Sequence, residues 1–176
     1  MLVGLMATGK SSVGRRVAEH LERPLLDSDD LIEARCGRTV REIFATDGEA
    51  AFRAIETDVL REAMASPEAA VVAGAGGVVL AEANRSLLSA DDVDVVWLRA
   101  DVDTLVERIA RSRARHRPLL DDHPEGRLRA MHDDRQALYA AVADHAIDVD
   151  DLGVADVAAA VVDWLDRPRP TLEGSR

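Results

Sequence analysis

The stretch Gly4-Leu5-Met6-Ala7-Thr8-Gly9-Lys10-Ser11 constrains this chain more than any other, because it fits GxxxxGK(S/T), a loop that turns successive backbone N–H groups inward around a nucleotide's phosphates. The glycines let the backbone curl close to the anion. Lys10 reaches the terminal phosphates as a compact charge, and the Ser11 hydroxyl suits Mg²⁺. Met1 to Val3 read as a short apolar lead-in, and Ser12 to Leu21 as a helix whose positive dipole end points at the same spot. Gly4, Ala7, Thr8, Gly9, Lys10, Ser11 and Ser12 are therefore the candidate nucleotide-binding residues. Of the 22 basic side chains, Lys10 is the one lysine. Arginine has taken every basic position except the one where a narrow ammonium does what a broad guanidinium does not.

Charge limits the partners. The formal net charge is −11 and the isoelectric point is near 4.8, so the global field repels nucleic acid and anionic membranes. Neither is expected as a partner. A small anionic substrate is still admissible if arginines are concentrated in one cleft. At 176 residues the chain is read as a single domain, with its core built from Ala, Val, Leu and Ile because aromatics make up 3%. It shows no apolar run of about 18 residues and no charged leader before the motif, and a cytosolic protein is expected. Cys36 is the lone cysteine, leaving no internal disulfide and no cysteine-based zinc cluster.

Short apolar runs alternate with helical patterns along the chain. The candidate strands are Leu2 to Leu5, Pro24 to Asp27, Ala70 to Ala73, Val93 to Leu98 and Ala146 to Val149. Helices are expected up to about Glu22, then over Asp30 to Cys36, Val40 to Thr46, Glu49 to Ala65, Asp101 to Arg113, Arg127 to Val142 and Val154 to Leu165. Strands separated by helices imply a parallel α/β sheet, whose ligands bind beyond the strands' carboxyl ends. Thr46-Asp47-Gly48-Glu49 has capping-box spacing and is expected to open the long helix. Ser112 to Glu125 is polar, Arg-rich and broken by proline, the composition of a flap, and 167–176 reads as a tail.

Three further constellations lie where strands end. Asp27-Ser28-Asp29 puts two carboxylates at alternate positions, so one can support Mg²⁺ through water and the other can take a proton from a hydroxyl. Capping of the next helix is the plainer reading of the same acids. Ala73-Gly74-Ala75-Gly76-Gly77 offers backbone N–H groups to a ligand at close range. Arginine grips a carboxylate or phosphate with two parallel N–H bonds, yet among so many arginines spacing alone does not select particular ones. The histidines show no metal-ligand spacing, and Tyr139 reads as packing.

In order, these stretches resemble shikimate kinase, a P-loop kinase of the nucleoside-monophosphate kinase type. The likeness runs from Leu2 to about Val149 through the loop above, Leu26-Asp27-Ser28-Asp29 with Ile32-Glu33, and Ile43 to Glu49 with Phe52-Arg53. It continues through Gly76-Gly77-Val78, Arg117-Pro118-Leu119-Leu120, and Arg135 with Leu138-Tyr139. The resemblance implies a five-stranded parallel sheet in a three-layer sandwich, a helical substrate-binding insertion over about 30–62 and a lid over about 111–125, all within one domain spanning 1–166. It implies ATP and Mg²⁺ and phosphorylation of the 3-hydroxyl of shikimate by a monomer.

The resemblance also implies roles. Lys10, Asp29 and Arg117 would be catalytic, Asp29 as base and Arg117 reaching the transferring phosphate from the lid. Ser11 and Asp27 would serve the metal. Asp29, Arg53, Gly76, Gly77 and Arg135 would hold substrate, the two arginines on its carboxylate. Arg111 falls near the family's adenine-stacking arginine. Ala7 and Ala75 stand where the family usually has glycine. Ala7 is expected to be harmless, whereas Ala75 is expected to cost on the order of 1 kcal/mol if that position needs φ > 0 or touches substrate. Two alternatives follow from Ala75: a related kinase acting on another cyclitol or hydroxy acid, or a nucleotide-binding module without catalysis.

Overall fold

The computed structural model describes residues 1–111 and 124–167. Among them five strands, β1 (Leu2–Val3), β2 (Leu25–Asp27), β3 (Val71–Ala73), β4 (Val96–Arg99) and β5 (His145–Asp148), form one parallel sheet in the order β2-β3-β1-β4-β5. Each expected strand is present, trimmed or shifted by a few residues. Register is set by pairs such as Leu2 with Ala73 and with Val96, and Asp27 with Ala73. The first three strands sit side by side, so whatever leaves their carboxyl ends meets at one edge of the sheet.

Eight helices accompany the sheet among the described residues: α1 (Lys10–Leu21), α2 (Ser28–Cys36), α3 (Val40–Thr46), α4 (Gly48–Met64), α5 (Glu82–Leu88), α6 (Val102–Arg111), α7 (Pro124–Val142) and α8 (Val154–Leu165). The sequence reading contains all but α5, whose seven residues are too few to carry a clear periodicity. Helix α1 lays Val13, Val17 and Ala18 on the sheet, joining a core that includes Leu2, Val3, Val71, Val96, Leu98, Leu105, Val157 and Val161. A second, separate core of Ile32, Ile43, Phe52 and Val59 binds α2, α3 and α4 to one another, with the rings of Phe44 and Phe52 4.5 Å apart. This gives the insertion its own apolar centre.

The capping box falls elsewhere than expected. Thr39 and Glu42 make it at the start of α3, each side chain bonded to the other's backbone N–H. Asp47 ends α3 and begins α4 at φ −108° and ψ −17°, helical values that leave no extended N-cap residue, and α4 has no side-chain cap. The Thr46 hydroxyl instead donates to Glu42 O at 2.7 Å, and Arg38 donates to both Thr46 and Asp47.

Candidate active site

The phosphate loop leaves β1 at Gly4. A β-carbon there would collide with the Leu98 carbonyl of β4, so the loop can begin this close to its neighbouring strand only with glycine. Thr8 is buried and its hydroxyl donates to Leu5 O at 2.9 Å, folding the loop on itself. The Lys10 ammonium donates to the carbonyls of Gly4 (2.9 Å) and Leu5 (2.8 Å), which holds it over the loop. Ser12 is exposed on the first turn of α1. Ala7 adopts φ 67°, in the left-handed region where a β-carbon is strained. Ala75 is not among the described residues with positive φ. The backbone strain thus sits at Ala7, in the phosphate loop, and the φ > 0 condition raised for Ala75 is not met. The reason is that its backbone turns without leaving the ordinary region, its N–H bonded to the Ser28 hydroxyl at 2.7 Å.

Beside the loop, the Ser11 hydroxyl donates to Asp27 Oδ2 at 2.6 Å. The other oxygen of Asp27 accepts the Asp29 N–H at 3.1 Å, capping α2. Capping and metal support are therefore not alternatives, because one carboxylate has an oxygen for each. Helix α2 begins at Ser28, so Asp29 already lies in its first turn; the two acids are brought together by the cap, and not by strand alternation as expected.

The third segment, 74–77, leaves β3 and lies against the phosphate loop: a β-carbon on Gly76 would stand 3.4 Å from Met6 N and 3.7 Å from Gly4 O. The Gly76 carbonyl accepts Arg135 Nη1 at 3.1 Å and also the Tyr139 hydroxyl. On Gly77 rests the guanidinium of Arg53. Helix α5 anchors the far end of the segment, Asn84 donating to Val78 O at 2.9 Å and Arg85 to Val79 O and Leu80 O.

Beside Arg53 is Glu56, which is 1% exposed. Arg53 Nη1 donates to both of its oxygens, at 3.1 and 3.0 Å, while Arg53 Nη2 donates to Glu49 at 2.9 Å. Burial raises the Glu56 carboxyl above its usual range, Arg53 pulls it back, Asp29 pushes it further up and Arg135 lowers it. Asp29, Arg53, Glu56 and Arg135 are thus one electrostatic group. Burial disfavours the charge on Arg53, and the pairs with Glu56 and Glu49 outweigh it, leaving its pKa raised.

Lys10, Ser11, Asp27, Asp29, Arg53, Gly76, Gly77 and Arg135 come together at the carboxyl edge of β2, β3 and β1. Arg111 stands apart from this cluster's bonds, exposed at the end of α6 and paired with Glu107 at 3.1 Å. Arg117 lies outside the described residues, as do His116, His123, most of the expected lid and the tail from 168 onward. Sequence reasoning missed Ser28, Glu56 and Tyr139. Glu56 follows Arg53 by three positions and Tyr139 follows Arg135 by four, spacings that share a helix face; Ser28 had no such signal.

The comparisons with known proteins agree with this geometry. The family model for shikimate kinase matches residues 6–166. A shikimate kinase of Symbiobacterium thermophilum is 43% identical over 166 residues, covering 94% of each chain. One from Chromohalobacter salexigens is 45% identical over 154 residues, covering 87% of this chain and 83% of its own. Among solved structures, shikimate kinase from Acinetobacter baumannii in complex with shikimate superposes with a TM-score of 0.87 at 38% identity, covering 93% of this chain and 90% of that one.

Proposed function

The chain belongs to the shikimate kinase family, and from that premise we propose that it transfers the γ-phosphoryl group of ATP to the 3-hydroxyl of shikimate. One observation carries the proposal. The segment 74–77 receives both arginines, Arg53 on Gly77 and Arg135 on the Gly76 carbonyl, while lying against the phosphate loop. Two cations beside one loop suit a carboxylate, and the adjoining phosphate loop suits the donor.

Arg53 and Arg135 hold the acceptor's carboxylate and so orient its ring. Asp29, in the first turn of α2, binds the ring hydroxyls and accepts the 3-hydroxyl proton as its oxygen attacks the γ-phosphorus in line. The N–H groups of 4–9 and the Lys10 ammonium hold the phosphates. Such catalysis is mainly positioning and charge neutralisation.

The donor set fits Mg²⁺. A hydroxyl and a carboxylate 2.6 Å apart suit an ion that keeps several waters and shares the rest of its shell with phosphate oxygens, and among the described residues there is no larger acidic or histidine cluster to compete. Ser11 would be its direct ligand and Asp27 its partner through water. When bound, the ion neutralises charge on the β- and γ-phosphates.

From the lid, about 111–125, Arg117 would approach the transferring phosphoryl and Arg111 the adenine. The insertion over about 30–62 would move as the acceptor-binding unit, consistent with its separate core. Among the described residues no helix is long and apolar enough to cross a membrane. A cytosolic setting is part of the proposed reading, and the acidic charge argues against nucleic acid as a partner.

The test is a coupled ADP-release assay with MgATP, with and without shikimate, followed by mass analysis of the product. Acceptor-dependent ADP release and a product heavier by one phosphoryl group are expected. ATP binding without shikimate-dependent turnover overturns the reading.

A further inference from the structure

We propose that Ser28 and Tyr139 are positioning residues whose two hydroxyls clamp the segment 74–77 between α2 and α7, fixing Asp29 against Arg135 across the acceptor pocket. The proposal rests on the reading of that pocket given above.

The segment needs fixing because its residues have little side chain to pack. Its polar backbone atoms are held instead. Ser28 is 3% exposed and its oxygen accepts the Ala75 N–H at 2.7 Å, a link across 47 residues of chain. Ser28 sits between Asp27 and Asp29, so the bond ties the segment to the residue that orients the hydroxyls.

One residue further on, the Gly76 carbonyl accepts two donors, both from α7. Tyr139 is 1% exposed, with its ring 5.7 Å from Trp97 at an interplanar angle of 25°, so the ring has one place to be. Packing would be equally served by phenylalanine. What tyrosine adds is a buried hydroxyl, which must find a partner, and the partner is the loop. That hydroxyl also interacts with Arg135, and burial pushes its pKa above the usual phenol range. Ser28 therefore sets the Asp29 side of the pocket and Tyr139 the Arg135 side, with one peptide unit between the two held atoms. Because Gly76 also abuts Met6, the same clamp sets the spacing of acceptor and phosphate loops. Misplacement of a bound group by about 1 Å costs on the order of 10²-fold in rate.

Ser28→Ala and Tyr139→Phe each delete one oxygen from the intact chain. Amide hydrogen exchange without ligand is expected to quicken at least fivefold in the peptide covering 74–80, while α1 exchanges as in the parent. With shikimate as acceptor, its KM is expected to rise fivefold or more with the ATP KM within twofold, and Ser28→Thr, which keeps the hydroxyl, to restore much of the loss. Unchanged exchange at 74–80 in both variants overturns the clamp whatever the true acceptor is, as does a quickening spread over all helices. Faster local exchange with an unchanged shikimate KM overturns the positioning role. Absence of shikimate-dependent turnover in the parent overturns the functional reading instead, and the exchange comparison still decides the clamp.

Discussion

The guanidinium of Arg53 rests on Gly77 so closely that no β-carbon fits between them. Gly77 is not among the residues with positive φ, so its backbone would accept alanine, and the obstruction is the far end of a flexible side chain. Gly77→Ala is expected to fold with stability within about 1 kcal/mol of the parent while pushing Arg53 off its seat. The shikimate KM should rise about tenfold and the ATP KM should hold, because a displaced carboxylate grip loses roughly 1.4 kcal/mol or more. Denaturant titration and initial-rate kinetics on one preparation test both halves.

Arg53→Ala removes the grip itself. Loss of a charge-assisted pair predicts a fall of about 100-fold in kcat/KM for shikimate, near 3 kcal/mol, with ATP affinity nearly intact. Equal loss towards both substrates would contradict the assignment of Arg53 to the acceptor.

Glu56 makes stability depend on pH in a definite direction. Burial holds its folded-state pKa above the ordinary value of 4.5. The folded chain therefore binds this proton more tightly than the unfolded chain, and the group's contribution is most favourable below 4.5 and declines as pH rises through the folded pKa. Glu56→Gln removes that slope. Urea titrations across this window should show the parent losing stability relative to the variant as pH rises, then a constant difference. A difference that grows the other way would show that the Arg53 pair outweighs burial.

Asp27→Asn separates capping from metal support. Asparagine caps a helix about as well as aspartate, so α2 should persist. The charge that would balance the ion is gone, and a higher Mg²⁺ concentration at half-maximal rate is expected, by about tenfold, with a lower kcat. An unchanged Mg²⁺ titration would exclude Asp27 from the metal's surroundings.

Ala7 and Ala75 should respond to glycine with opposite signs. At φ 67°, Ala7→Gly relieves strain of roughly 1 kcal/mol, offset in part by the freer unfolded chain, for a small net gain. At Ala75 only the unfolded-state term applies, and Ala75→Gly should cost about 0.4–1 kcal/mol. Paired thermal and urea midpoints check the signs.

Much of the site was legible because its chemistry is local. GxxxxGKS specifies a loop within eight consecutive residues, and Asp27 and Asp29 fall where an apolar run stops. For Glu56 the spacing to Arg53 gave a shared helix face and nothing more, since its importance comes from being enclosed with a charge, and enclosure is a property of neighbours brought from elsewhere. Helix α5 escaped because its seven residues are too few to show a period, and Asn84 and Arg85 hold it through bonds to 78–80. The capping box was misplaced because two helices abut at Asp47, which fixes a backbone that the spacing cannot report.

By itself the sequence determined the alternation of strand and helix, the phosphate loop and the net acidic charge, since each depends on residues adjacent in the chain or on their sum. Only the tertiary structure decided how Arg53 and Arg135 meet the segment 74–77, that Ala7 and not Ala75 bears strain, and that Ser28 and Tyr139 meet that same short segment. Those facts depend on the order β2-β3-β1, which places the ends of three strands side by side. Contacts across 47, 59 and 63 residues are made there by geometry that no local pattern encodes.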